Sequence, residues 1–82
     1  MQIDHLITMA NQIGDFFKSS PDQEQAKKDI AHHLARFWAR SMRQQISRYV
    51  QDKNGEGLDV IVRDAVSEYL DADANLVSSV GQ

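Results

Sequence analysis

The chain has no cysteine, which excludes disulfides, thiolate metal sites and cysteine nucleophiles. The histidines are His5, His32 and His33. Zinc-binding helices place two histidines four residues apart, so that both reach one face. His32 and His33 are adjacent and on a helix point about 100° apart. The spacing predicts surface or half-buried imidazoles and no metal site. Asp15, Asp22, Glu24, Asp29, Asp59, Asp64 and Glu68 supply carboxylates, but acid–base catalysis needs them in a water-excluded cleft. Most fall on predicted solvent faces. Gly55-Glu56-Gly57 is too short to cradle a phosphate and reads as a helix linker. No catalytic, cofactor-binding or metal-ligating residue is therefore expected, and no enzyme.

The arginines are more informative. From Ala31 to Gln51 the chain carries Arg36, Arg40, Arg43 and Arg48 and no Asp or Glu, a local charge of +4 from the arginines alone. Arg36, Arg40 and Arg43 follow i, i+4, i+7 spacing, which places them on one face of a helix. Phe37 and Trp38 lie beside that face. Arginine and tryptophan dominate the energetics of protein interfaces, and arginine pairs bidentately with carboxylates. Arg36, Phe37, Trp38, Arg40, Met42 and Arg43 are the candidate partner-binding residues. The alternative is a solvated basic face paired with acids of neighbouring helices, with Trp38 in the core.

Four segments must position these side chains. Ile3, Leu6, Ile7, Ala10, Ile13, Gly14 and Phe17 recur at helical spacing, and Met9 and Phe16 widen the stripe. Gly14 costs roughly 1 kcal/mol inside a helix relative to Ala, which points to close approach of another helix. Ser20, Pro21 and Gln23 read as N-cap, first helical residue and the far half of a capping box. Ala26, Ile30, Leu34, Phe37 and Trp38 continue with Met42, Ile46, Tyr49 and Val50. A single helix over 22–52 would measure ~46 Å, against a diameter of ~30 Å for a domain of this length. A break near Ala39 to Ser41 is expected, with Ser41 and Gln44 capping the next helix. Residues 53–57 form a loop. Leu58, Ile61, Val62, Ala65, Val66, Tyr69 and Leu70 give the last amphipathic helix.

The expected fold is all-α: a single domain holding a small bundle of three to four helices near 3–18, 22–38, 41–52 and 58–70. The helical domain covers 1–70. Residues 71–82 form a polar C-terminal tail that frays or adds one short turn around Leu76, Val77 and Val80. The expected core is Leu6, Ile13, Phe17, Ile30, Leu34, Ile46, Val62, Val66 and Tyr69. The 82 residues suffice for one domain. The net charge of −3 argues against general nucleic-acid binding. No apolar run approaches the ~20 residues a membrane span requires, and no secretory signal is visible. A cytoplasmic location is expected.

Three stretches stand out together: Met9-Ala10-Asn11-Gln12-Ile13-Gly14-Asp15-Phe16-Phe17, then Ile30-Ala31-His32-His33-Leu34 leading to Phe37-Trp38 and Met42-Arg43, then Gly55-Glu56-Gly57-Leu58 leading to Val62. In this order and spacing they resemble the delta subunit of NAD-dependent, molybdenum-containing formate dehydrogenase. The resemblance covers roughly Ile3 to Leu70. It implies a small accessory subunit without cofactor, which helps assemble or stabilise a complex whose large catalytic subunit holds the molybdopterin and iron–sulfur centres. One three-residue stretch departs. Where the family usually has an acidic residue, Pro and Arg, this chain has Ala39, Arg40 and Ser41, which removes the ring that would break the helix. Two other readings compete: a helix-turn-helix type nucleic-acid or regulatory protein presenting Arg43, Gln44, Gln45 and Arg48, and a homo-oligomer closing extra apolar surface on a second copy.

Overall fold

The computed structural model describes residues 2–70. The expected tail at 71–82 lies outside the described residues. Helices α1 (Ile3–Phe17), α2 (Gln23–Phe37), α3 (Arg40–Lys53) and α4 (Val60–Ala65) follow in order, and α4 runs on through a π-helical turn, Val66–Leu70. Among the described residues there is no strand.

The helices begin and end for local reasons, and two of these differ from the sequence expectation. The N-cap of α2 is Asp22, not Ser20: its side chain accepts the backbone N–H of Gln25, the usual service of an N-cap carboxylate. Pro21 lies outside the helix. Gln23 reaches back with its amide to the carbonyls of Ser20 at 2.9 Å and Lys18 at 3.1 Å, so it ties α2 to the end of α1 and does not close a capping box. Ser41 does not cap α3. Ala39 holds that position with no side-chain bond, and Ser41 sits in the first turn.

The expected break is present without a proline. Trp38 and Ala39 are extended, with ψ of 142° and 151°. At the end of α3, Asn54 takes the left-handed conformation (φ 58°), followed by Gly55 at φ 66°. Asn tolerates this region and Gly adopts it freely.

The four helices enclose one core. Leu6, Ile30, Leu34, Ile46, Val62 and Val66 are fully buried. Each such side chain contributes roughly 1.5–3 kcal/mol on leaving water. Ala10, Ala26, Ala31, Trp38, Val50, Ala65 and Leu70 complete the buried hydrophobic set. Ile13, Phe17 and Tyr69, expected at the centre, are half-buried and pack against its edge. Helix α4 lies against both α1 and α2. Gly14 is the notch that admits it: a Cβ there would collide with Cγ2 of Val62. The loop before α4 is fastened by Asn11, whose amide donates to Gly57 O at 3.0 Å and accepts the N–H of Asp59 at 2.9 Å. That second bond satisfies a free backbone donor where α4 begins.

Candidate functional site

The break between α2 and α3 sorts the six expected partner-binding residues into two sets. Continuing one helix through Trp38 is replaced by two extended residues, so Arg36 belongs to α2 while Arg40 and Arg43 belong to α3. The i, i+4, i+7 register that placed them on one helix face does not apply across the break. Trp38 turns inward and is only 6% exposed, as the alternative reading of this stretch had it. Met42 is half-buried against the core. Arg43 is also half-buried, and its guanidinium donates to Ala35 O at 2.7 Å and Trp38 O at 3.0 Å. These carbonyls lie at the C-terminal end of α2, where orphan acceptors and the negative end of the helix dipole favour a cation. Arg43 thus holds a corner that has no proline to make it. It is committed to that task, which removes the first reader of a recognition helix. Arg36, Phe37 and Arg40 remain exposed.

Beside Arg36 and Phe37, α1 and α2 form a largely apolar groove of about 460 Å³, lined by Met9, Gln12, Ile13, Phe16 and Phe17 from α1, by His33 and Phe37 from α2, and by Trp38. Four rings run across it in sequence. Phe16 meets Phe17 edge to face at 5.0 Å, Phe17 lies 6.2 Å from His33, and His33 lies 4.7 Å from Phe37. The two outer rings stand in solvent: Phe16 is 78% and Phe37 66% exposed. The guanidinium of Arg36 sits 5.8 Å above the Phe37 ring, within cation–π range. Neither Arg36 nor Arg40 has a carboxylate partner among the described residues; Lys18, Lys27 and Arg63 take Asp15, Glu24 with Glu68, and Asp64.

Sequence spacing placed Met9 and Phe16 beside the first stripe. It did not show that Phe37, more than twenty residues later, would flank the same groove. His33 carried a signal only as a non-ligand, and here it is the ring that joins the two helices' aromatics. His32 and His5 are exposed. Among the described residues no three His, Cys, Asp or Glu side chains gather to hold a metal ion.

A second polar cluster joins α2 to the π-helical turn. Lys27 bridges Glu24 at 2.7 Å and Glu68 at 2.9 Å, and the Tyr69 hydroxyl donates to Glu24. The hydrogen bond from Lys27, then that from Tyr69, holds the Glu24 carboxyl below its ordinary range. The same bond to Glu24 raises Tyr69, and the bonds to Glu24 and then Glu68 raise Lys27. Each group is stabilised in the charge state its partner requires, as in a structural tie.

The model of one known family matches residues 5–66, and its description is NADH-dependent formate dehydrogenase delta subunit FdsD. The matched stretch begins in α1 and ends in the π-helical turn, so it takes in both walls of the groove and the α2–α3 corner. No curated protein and no solved structure matches the chain.

Proposed function

The chain belongs to the family of NADH-dependent formate dehydrogenase delta subunits, and from that premise we propose that it is a non-catalytic accessory subunit. It docks on the large catalytic subunit of a cytoplasmic formate dehydrogenase and helps assemble or stabilise the complex. It brings no cofactor of its own. The observation that carries this reading is the family match across 5–66. Two further features support it. No helix among the described residues is long and apolar enough to cross a membrane. The chain also leaves two phenylalanines largely in water on one groove, and exposed apolar side chains gathered in one place mark interaction sites.

Of the partner-binding residues expected from sequence, Arg36, Phe37 and Arg40 make the contact. Trp38, Met42 and Arg43 act from behind by fixing the corner on which these three stand. The test is to express the other subunits of the formate dehydrogenase with and without this chain and purify the large subunit. Co-purification of the chain, with a larger yield of cofactor-loaded complex in its presence, is expected. A complex that forms to the same yield and activity without it, and never retains it, would refute the proposal.

A further inference from the structure

We propose that the groove between α1 and α2 seats an amphipathic helix of the large subunit, one whose apolar residues enter between Phe16 and Phe37 and whose flanking Asp or Glu residues meet Arg36 and Arg40. This rests on the docking reading above and assigns it a site and a partner chemistry.

Two observations lead there. The first is exposure in the right shape. Two helices leave a trough whose floor is Ile13, Phe17 and His33 and whose outer rings, Phe16 and Phe37, stand 78% and 66% in solvent. A volume of about 460 Å³ lies within the range of ordinary ligand sites, roughly 300–1,000 Å³, and has room for a few side chains of an inserted helix. Helix-in-groove recognition uses such troughs, reading anchors at i, i+3 or i+4, and i+7. The second is charge. The chain is acidic overall, at −3, yet the stretch from Ala31 to Gln51, which supplies one wall and its rim, has four arginines and no acid. Arg43 is spent on the α2 carbonyls. Arg36, whose guanidinium lies 5.8 Å from the Phe37 ring at the groove's edge, has no carboxylate among the described residues, and neither has Arg40 at the start of α3, three residues beyond Phe37 in the chain; both are left for an anion. An acid-bearing helix satisfies the rings and the cations at once. A second copy of this chain would bring the same acid-free basic stretch to the interface, and the sedimentation arm below separates that occupant from an acid-bearing helix.

The experiment uses the full-length chain and the formate dehydrogenase complex purified without it, immobilised on a sensor surface. The proteins are wild type, F16S/F37S, R36E/R40E and V60S. Val60 is an exposed apolar residue, 62% in solvent, outside the groove. Far-UV circular dichroism and melting check each fold. Wild type should bind. F16S/F37S should weaken binding by about 30-fold or more, the loss expected of an interface anchor. R36E/R40E should weaken it by about 10-fold or more and flatten its dependence on salt, and V60S should leave it unchanged. If F16S/F37S loses helicity, F37S alone and R36E/R40E are judged on the same criterion. Wild-type binding with full affinity retained by the groove variants overturns this inference and leaves the docking reading intact. A folded wild type that does not bind overturns the docking reading itself. Sedimentation showing a wild-type dimer that F16S/F37S converts to monomer gives the groove to a second copy and overturns the inference.

Discussion

Replacing Gly14 by Ala sets two effects of similar size against each other. Ala in a helix interior is favoured over Gly by about 1 kcal/mol. The added methyl, however, enters space already held by Cγ2 of Val62. Val62 is fully buried, and a β-branched side chain in a helix has essentially one rotamer, so it cannot swing aside cheaply. Overpacking of this kind costs about 1–3 kcal/mol. The clash wins, and G14A should lose about 1 kcal/mol net. For a domain of this size that lowers Tm by about 4–8 °C. The sign should reverse when the obstacle is removed. V62A alone should cost about 2 kcal/mol for two lost methyls and the space they leave. In that background G14A refills part of the void and gains helix propensity, so it should stabilise. The four proteins form a double-mutant cycle, read by urea unfolding followed by circular dichroism, with a coupling energy of about 2 kcal/mol. A G14A protein more stable than wild type, or a coupling energy under about 0.5 kcal/mol, would refute the account of Gly14 as the notch for α4.

Three further outcomes follow from the packing and the charges. L34A should destabilise by about 2–5 kcal/mol in the same unfolding assay, because Leu34, near the C-terminal end of α2, is fully buried in the core; a loss under about 0.5 kcal/mol would exclude it from the core. R43M should cost about 1–3 kcal/mol by stranding the carbonyls of Ala35 and Trp38, whereas R48E on the exposed face of α3 should stay within about 0.5 kcal/mol of wild type; equal effects would show that Arg43 does not hold the corner. Glu24 has its folded pKa held below its ordinary 4.5 by Lys27 and Tyr69, so its contribution is present above that value and lost as pH falls through the folded pKa. E24Q should make the acid limb of a stability–pH curve shallower, and an unchanged slope would remove the charge from the tie.

Periodic apolar spacing was enough to find the helical segments, though not the division between α2 and α3, because Leu6, Ile30, Leu34, Ile46, Val62 and Val66 fall on the apolar stripes and all are fully buried. The break near Ala39 followed from length alone, although its cause did not. The corner is made by Arg43, whose side chain reads in sequence as one more member of a basic face. Nothing in the spacing separates an arginine that caps carbonyls from one that waits at the rim, since the difference is set by where α3 folds back on α2. Ser20 lost the N-cap to Asp22 because either polar residue suits the role and the chain's path out of α1 decides between them. The groove was legible only in halves. Phe16 was visible as surplus apolar surface on α1, and Phe37 as an aromatic beside the arginines. Their meeting across His33 is a property of the helix pair.

The burial of Trp38 has an optical consequence. It is the only tryptophan of the chain, it is 6% exposed, and part of it lines the end of the groove. Its emission therefore reports one place, the inner side of the α2–α3 corner. Unfolding should shift that emission to the red as the indole meets water. Filling of the groove should move it the other way, or quench it through an incoming carboxyl, with the fold intact. The chain thus carries an unlabelled probe that separates loss of the corner from occupation of the surface the corner supports.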